Sequence, residues 1–401
     1  MEQLCELVTD GTHDSPKIQK EGVPFIKGKN ISGGTVDFST CDFITLEDHE
    51  EACRRVKPQR GDILFSNIGS VGDTAVVNND REFSIKNVAL FRPDRRKVDQ
   101  GYFYYLVLSP EFRSNVMNVR SGSAQPFISL ANLRAFEVSY VEDPGVQRRI
   151  AGILSAYDEL MENSQRRVRL LEAMARALYR EWFVHYRFPG HEKHPRVASP
   201  LGDIPKGWEV KKLADVAEVN RAQINARTAP EELHYIDISS VSPGQIDSIT
   251  TYAFADAPGR ARRIIQHGDV LWSCVRPNRR SHAQIMHPEA DTIASTGFAV
   301  LTPTKVPFTF LYFATTTDDF VAFLTNNATG AAYPAVSGAT FEKADLLIPP
   351  APLLKMFGDA TIPMAEQIHT LQRQIQNLRR TRDLLLPRLL SGQVELSQTR
   401  K

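Results

Sequence analysis

Short apolar runs broken by glycine, proline and asparagine fill two stretches of this chain, and each stretch precedes a long segment with helical spacing. In the first stretch, the runs with strand character are 23–26, 62–65, 88–91 and 136–141. Apolar and aromatic spacing predicts a helix over 100–117. The second stretch, from about 201 to 352, repeats the plan, with 308–323 as the matching helix. Both stretches therefore predict α+β units.

Two segments, 147–183 and 356–390, carry apolar residues at alternating steps of three and four. In the first, the seam passes through Ile150, Ile153, Tyr157, Leu160, Ser164, Arg167, Leu171, Met174 and Leu178. In the second, it passes through Ile368, Leu371, Ile375, Leu378, Arg382, Leu385 and Leu389, and Pro387 should kink or end the helix. Such seams are typical of helices that pack along a partner. We expect the two helices to form an antiparallel coiled-coil spacer within the chain. The alternative is that each helix packs only on its own domain.

The two stretches also repeat in sequence. Residues 61–66 recur as 268–273, an offset of 207, and 122–129 recur as 330–337, an offset of 208. Between them, 88–93 matches 298–303. Matches in the same order at nearly constant offset indicate a tandem duplication of a globular unit followed by a helix. The predicted segments are a first domain at 1–145, a helix at 146–188, a linker at 189–205, a second domain at 206–352, a helix at 353–394 and a tail at 395–401.

Composition is that of a globular protein of more than one domain. The chain has 401 residues, 42% of them hydrophobic and 24% charged. A net charge of +1 argues mildly against nonspecific wrapping of nucleic acid but leaves room for local basic faces. The four cysteines are scattered, and we find neither a secretory signal nor a membrane-spanning run. We therefore expect a cytoplasmic protein with free thiols.

A search for chemistry finds no catalytic site. The sequence has no phosphate-binding glycine loop, no metal-ligand spacing and no nucleophile with its base. We expect no catalysis, no metal and no cofactor on this chain.

Basic and amide side chains in predicted loops are better signals, because they offer bidentate pairs to base edges or reach phosphate. In the first half the candidate DNA-binding residues are Lys27, Lys29, Asn30, Arg120, Ser121 and Gln125. In the second half they are Arg221, Asn225, Arg227, Arg276, Asn278, Arg279, Arg280 and Tyr333. Any one of them is as readily a solvated loop residue. Their occurrence in both copies, with matching strands but unlike loops, favours two domains that read two different short sequences.

Several segments resemble the type I restriction-modification specificity subunits. The helix 153–160, the segment 171–183 and the segment 187–192 resemble their central conserved region. Residues 10–16, Asp-Gly-Thr-His-Asp-Ser-Pro, resemble their first target-recognition domain, and 386–392 their distal conserved helix.

The resemblance implies two target-recognition domains that bind double-stranded DNA. It further implies two methyltransferase subunits carrying S-adenosylmethionine, and restriction-translocase subunits that use ATP and Mg²⁺. Arg176, Tyr179 and Arg180, which we expect to be exposed, lie beside the region where the methyltransferase is implied. One departure concerns 207–210, which has no counterpart before residues 4–7, so about a strand's worth of residues is missing from the first half. Either the start of the chain is misplaced or the first domain lacks an edge element.

Two other functions remain open at this stage. One is a structural adaptor whose domains bind protein, which salt-dependent duplex binding would exclude. The other is the specificity module of a different restriction system, in which one fused enzyme supplies both methylation and cleavage.

The duplication predicts that the helices set the spacing of a bipartite DNA target. Removing one heptad from each helix keeps the seam in register and shortens the spacer by roughly 10 Å, at about 1.5 Å per residue. On B-DNA this is about three base pairs. The shortened protein should prefer a target with the same half-sites and a shorter gap. Binding selections on randomised duplexes measure this, and altered half-sites with an unchanged gap would contradict it.

Overall fold

The computed structural model describes residues 1–120, 126–200 and 202–394, and it contains two compact units. Unit 1 comprises Met1–Asn163 and the C-terminal residues from Ile375 onward. Unit 2 comprises Ser164–Gln374. Both contain helices and strands, as the sequence predicts.

Unit 1 contains short strands and four short helices before the first long helix. Its strands are β1 (Cys5–Asp10), β2 (Val23–Ile26), β3 (Ile31–Ser32), β4 (Thr35–Val36), β5 (Asp42–Ile44), β6 (Ile63–Phe65), β7 (Thr74–Val76), β8 (Ser84–Ile85) and β9 (Ala89–Pro93). Its helices are α1 (Leu46–Arg55), α2 (Gln100–Leu108), α3 (Pro110–Val119), α4 (Leu130–Ala135) and the start of α5 (Pro144–Tyr179).

Unit 2 repeats this inventory with more strands. Its strands are β10 (Arg196–Ser199), β11 (Gly202–Pro205), β12 (Glu209–Lys212), β13 (Ala217–Val219), β14 (Glu232–Ile236), β15 (Val241–Ser242), β16 (Gln245–Ile246), β17 (Thr250–Ala253), β18 (Ala261–Ile264), β19 (Val270–Ser273), β20 (His282–Gln284), β21 (Thr292–Ser295), β22 (Phe298–Pro303) and β23 (Asp345–Ile348). Its helices are α6 (Phe308–Thr315), α7 (Asp318–Asn326), α8 (Gly338–Glu342) and the start of α9 (Ala351–Leu390).

The duplication is visible in the sheet topology. Unit 1 has an antiparallel sheet of order β1-β9-β6-β7, and unit 2 has one of order β13-β22-β19-β20. A second sheet also recurs, as β5-β2-β8 in unit 1 and β17-β14-β21-β18 in unit 2. Each of these second sheets contains one parallel pair of strands, β2 with β8 in unit 1 and β14 with β21 in unit 2. The segments that match in sequence therefore form equivalent strands.

The two second sheets end differently. In unit 2, β18 pairs antiparallel with β21. In unit 1, helix α1 covers the corresponding edge, and buried His49 contacts the Ser84 hydroxyl through Nδ1 at 2.8 Å. A covered or paired edge offers no unpaired backbone groups for aggregation.

The predicted strand at 136–141 is wrong, and the comparison between units gives the reason. In unit 2 the equivalent segment β23 pairs antiparallel with β12. In unit 1 the described residues contain no counterpart of β12, and Phe136 follows α4 as extended chain outside any sheet. The Met1 ammonium instead donates a hydrogen bond to the Phe136 carbonyl. An apolar run forms a strand only where another strand satisfies its backbone groups.

Each predicted short helix is two helices in the structure. The first ends at Leu108, because Ser109 is extended and caps a second helix that begins at Pro110, where proline is favoured. In unit 2, Thr317 caps α7 in the same way through a bond from the Phe320 N–H. The predicted linker 189–205 likewise contains a hairpin, β10 with β11, in addition to loops.

The long helices are intramolecular partners in antiparallel order. In unit 1, Asp158 of α5 contacts Arg382, near the end of α9. In unit 2, Tyr179 at the end of α5 lies 6.0 Å from Phe357, near the start of α9, between ring centroids. Pro387 lies within the last turn, and the helix ends three residues later at Leu390. None of the described helices is long and apolar enough to cross a membrane.

The buried face of α5 differs from the predicted seam. At every second predicted position, the buried residue is the next one along the chain. The buried residues that follow the displaced seam are Ile150, Leu154, Met161, Ser164, Val168 and Ala175, and Gln147, Ala151 and Tyr179 are buried as well. Leu160 and Met174, predicted on the seam, are 49% and 55% exposed, and Arg167 is exposed too. Apolar residues stand at both Ile153 and Leu154, so the period alone does not choose between steps of three and four.

The seam of α9 is confirmed. Leu371 and Leu389 are buried, and the intervening positions are half-buried. Arg382 lies on it, donating to Asp158 Oδ1 at 2.5 Å, while the Tyr105 hydroxyl donates to Asp158 Oδ2 at 2.6 Å. A charge on a packed seam needs such a partner, because an unpaired buried charge is strongly destabilising.

The duplicated Gly-Asp pairs differ in their surroundings. In unit 1, both oxygens of Asp62 accept hydrogen bonds from the Arg92 guanidinium, at 2.8 and 2.7 Å. In unit 2, Asp269 is equally buried, and Thr302 stands where the arginine would be. One oxygen of Asp269 accepts from the Gln266 N–H at 2.8 Å. The other makes no direct hydrogen bond among the described atoms, although the nearby Thr302 hydroxyl partly offsets the effect of burial. Burial raises the pKa of Asp269 to about 6.

We predict that Asp269→Asn stabilises unit 2 at neutral pH. The pKa of Asp269 is higher in the folded state than its usual value of about 3.9, so its ionisation costs stability as pH rises through 4 to 6, by at most about 2–3 kcal/mol. The variant should raise the free energy of unfolding at pH 7.5 and flatten its pH dependence in denaturant titrations between pH 4 and 7.

The matched control is Asp62→Asn, which removes an ionised partner from Arg92 and should destabilise the protein. Equal destabilisation by both substitutions would contradict the assignment for Asp269.

Candidate nucleic-acid interface

Two backbone hydrogen bonds hold the loop that follows strand β19 of unit 2. The Arg276 N–H donates to the Pro334 carbonyl at 2.7 Å, and the Val336 N–H donates to the Cys274 carbonyl at 2.9 Å. Between them, Val275 forms an isolated bridge with Ala335. We call this pairing of 274–276 with 334–336 the loop bridge of unit 2.

Unit 1 contains the same loop bridge. The Gly69 N–H donates to the Pro126 carbonyl at 2.8 Å, and the Ile128 N–H donates to the Asn67 carbonyl at 2.9 Å. Ile68 bridges Phe127 as Val275 bridges Ala335. The repeated blocks of the sequence, at offsets of 207 and 208, thus mark two equivalent pairs of loops.

Different side chains occupy the two bridges. Gly69 and Arg276 are equivalent, and both have positive φ, 79° and 52°. Such a backbone suits glycine and strains arginine. The Arg276 guanidinium lies over the Tyr333 ring, 4.5 Å from its centroid, and donates to the Ala332 carbonyl at 3.2 Å. Tyr333 is 68% exposed, so unit 2 presents a preformed cation–aromatic pair where unit 1 has a glycine.

The tip of the unit 2 loop carries the other predicted residues. Pro277–Arg279 form a short turn between two residues in the left-handed region, Arg276 and Arg280. Asn278 and Arg279 are exposed. Arg280 forms an ion pair with Asp318 at the start of α7, which anchors the turn. Among the described residues, the Arg279 guanidinium at the tip has no ion-pair or hydrogen-bond partner in the protein.

Arg176 of α5 and Arg180, in the helical turn that directly follows α5, belong to the same basic surface. The pKa of Asp318 is lowered first by its hydrogen bond from Arg280, and also by the charges of Arg180 and Arg176. Arg176 and Arg180 are both exposed, and the Arg176 guanidinium lies 5.9 Å from the centroid of the Phe313 ring. Residues predicted for a protein partner and residues predicted for DNA are thus neighbours in unit 2.

Tyr179 is not on that surface. It is buried in an aromatic cluster of unit 2, 5.8 Å from Phe310 and 5.1 Å from Phe183 between ring centroids. The prediction that it is exposed is wrong, because α5 turns this face toward the domain core. Burial raises the pKa of the Tyr179 hydroxyl, consistent with its apolar surroundings.

In unit 1, the segment that contains Lys27 and Lys29 lies beside the loop bridge. A Cβ on Gly28 would lie 2.8 Å from the Ser66 hydroxyl, so the backbones approach closely there. Lys27 and Lys29 both lie near Asp42, with Nζ–Oδ2 distances of 2.8 and 3.8 Å.

Asn30 is structural in this segment. It is fully buried, and its amide accepts from the Lys27 N–H and donates to the Thr40 hydroxyl. This corrects its assignment as an exposed reading residue. Arg120 is exposed after α3, and Ser121 and Gln125 lie outside the described residues.

The remaining predicted residues occupy another loop of unit 2, between β13 and β14. The Arg221 guanidinium donates a hydrogen bond to the Gln266 side chain at 2.8 Å. Gln266 precedes β19, whereas the loop bridge follows that strand. Asn225 accepts from the Arg227 N–H at 2.9 Å and shapes the turn, although both residues are exposed. These side chains form a second polar group in unit 2.

Sequence reasoning missed Asp318 and His282, which shape the basic surface. Burial lowers the pKa of His282 to about 4, and the charges of Arg176 and Arg280 add to the effect. It packs 4.8 Å from Trp272 between ring centroids and therefore stays neutral at pH 7. The acidic start of α7, Asp318 and Asp319, was the signal available in the sequence, since carboxylates in the first turn of a helix are favoured there and can also pair with nearby arginines.

Comparison with known proteins identifies the family. The type I restriction modification DNA specificity domain matches residues 1–173 and 205–353. The chain belongs to this family. It is 24% identical, over 88% of its length and 82% of the relative's, to the type I restriction enzyme MjaIX specificity subunit of Methanocaldococcus jannaschii. It is 21% identical, over 89% and 91%, to the HindI specificity subunit of Haemophilus influenzae.

A solved structure shares the fold. The type I restriction-modification S subunit from M. genitalium matches with a TM-score of 0.61 and 14% identity, over 99% of this chain and 95% of that one. Within a family defined by DNA specificity, the loop bridges present equivalent backbones with different side chains, which is what reading two different sequences requires.

Proposed function

We propose that this chain is the DNA-reading specificity subunit of a type I restriction-modification complex, in which each domain binds one half of a bipartite target. The observation that carries the proposal is the pair of loop bridges. They hold their loops through backbone bonds, so the exposed side chains can differ without loss of the scaffold. Arg276, Tyr333 and Arg279 supply stacking and bidentate donors in unit 2.

The proposal includes no catalysis by this chain itself. Two methyltransferase subunits would carry S-adenosylmethionine, and restriction-translocase subunits would carry ATP and Mg²⁺. The exposed Arg176 of α5 and Arg180, just after its end, are the proposed contacts for the methyltransferase, and Tyr179 supports them from the core. The helices would set the spacing between half-sites, and a complex acting on DNA in this way would work in the cytoplasm.

We predict that Arg279→Ala weakens recognition of one half-site only. If the guanidinium pairs with a guanine, its loss should cost about 1–3 kcal/mol of binding free energy and relax that half of the target. Binding to duplexes with single-base changes in either half measures this. The control is Arg373→Ala, an exposed arginine on α9. Equal loss at both halves, or none, would count against the assignment.

We also predict that the purified chain transfers no methyl group, and that methylation requires its partner subunits. Methylome sequencing of cells with and without the gene should reveal a split adenine-methylation motif that depends on it. Methyl transfer by the partner-free chain would contradict the proposal. Duplex binding without sequence preference and without a steep salt dependence would instead favour a structural adaptor.

A further inference from the structure

Four side chains of unit 2 that sequence reasoning left unassigned meet at one place. His267 precedes β19, His287 lies in the loop between β20 and β21, and Glu366 and His369 lie one helical turn apart on α9. His287 Nε2 lies 2.8 Å from one Glu366 oxygen and 3.0 Å from the other. His267 Nε2 lies 3.9 Å from Glu366.

We propose that His267, His287 and Glu366 form a binding site for a divalent transition-metal cation such as Zn²⁺, with His369 as a fourth ligand. One potential ligand atom from each of the first three lies within 4.8 Å of the others. A tetrahedral Zn²⁺ with bonds of about 2.0–2.1 Å holds its ligand atoms roughly 3.3–3.5 Å apart. Closing that difference takes small rotations of side chains that are 37–52% exposed.

The chemistry of the donors fits this class of cation. Imidazole and carboxylate together suit Zn²⁺ and its neighbours in the first transition row better than Mg²⁺ or Ca²⁺. Metal ligation requires neutral imidazole.

His369 lies next to these three residues and is the candidate for the fourth ligand. It follows Glu366 by three residues, so both side chains leave the same face of α9. Its ring centroid lies 5.4 Å from that of His287, and the rings of His287 and His267 stack at 4.2 Å. His287 also has positive φ, 44°, so the loop is held in a strained conformation at the cluster.

One hydrogen bond must be given up for Nε2 of His267 to bind the cation. The His287 N–H donates to His267 Nδ1 at 3.3 Å, which leaves the proton of the neutral ring on Nε2. Ligation through Nε2 moves that proton to Nδ1 and breaks this long bond. The cation would then link the loop between β20 and β21 to α9. Without the cation, the His287–Glu366 contact makes this link alone.

The test is Zn²⁺ binding by the full-length chain, purified without a histidine tag and stripped with chelator. Competition with a chromophoric chelator should show one Zn²⁺ per chain, and Co²⁺ should give the visible absorption of a tetrahedral site. Zn²⁺ should also raise the thermal unfolding midpoint, as a ligand of the folded state does.

Variants separate a metal site from an ion pair. Loss of an outer-shell partner alone costs about 10–100-fold in metal affinity, so His287→Ala, Glu366→Gln and His267→Ala should each cost at least that. His267→Ala leaves the 2.8 Å His287–Glu366 contact intact but removes a proposed ligand, so it should abolish the Zn²⁺-dependent rise of the midpoint, whatever its effect on the metal-free midpoint.

His185→Ala removes an exposed histidine of unit 2 outside the cluster and should bind Zn²⁺ as the wild type does. The proposal is overturned if the wild type binds no Zn²⁺, if the cluster variants bind it as tightly as His185→Ala, or if Zn²⁺ leaves the unfolding midpoint unchanged.

Discussion

The loop bridge is the constraint on which the rest of each domain depends. It consists of main-chain hydrogen bonds, two in each unit, between the end of the central strand and a segment roughly 60 residues further along the chain. Main-chain bonds tolerate most side chains, so Gly69 and Arg276 occupy the same backbone position with opposite consequences for the surface. A scaffold built in this way keeps its shape while its exposed side chains change.

Packing around the bridges separates structural from exposed groups. In unit 2, Tyr179 at the end of α5 and Phe183 in the following helical turn pack into the domain core, through contacts with Phe310 and Phe357. The neighbouring Arg176 and Arg180 remain at the surface, and their charges act together with Arg280 to lower the pKa of Asp318. One helical turn therefore divides between core and basic face.

The two copies also satisfy buried charge differently. Asp62 has a bidentate arginine, whereas Asp269 has a single backbone donor and a raised pKa. On the seam of α9, Arg382 is held by Asp158 and Tyr105. The two copies share the order of the repeated strands in their sheets, whereas the polar partners of individual buried groups differ between them.

The sequence by itself determined the duplication, the α+β class, the long helices and the seam of α9, because these depend on local period and on repeated blocks. It also marked Arg276, Arg279 and Tyr333 as loop residues. It did not separate Leu154 from Ile153 on α5, because both are apolar and only the packing surface chooses between them.

The tertiary structure decided features that depend on partners distant in sequence. The apolar run at 136–141 has no β12 to pair with, Asn30 is buried against Thr40, and Tyr179 faces aromatic rings from other helices. The cluster of His287 with Glu366 joins residues 79 positions apart, with no motif to announce it. Burial and hydrogen-bond partnership are properties of the folded chain, and local pattern carries only part of that information.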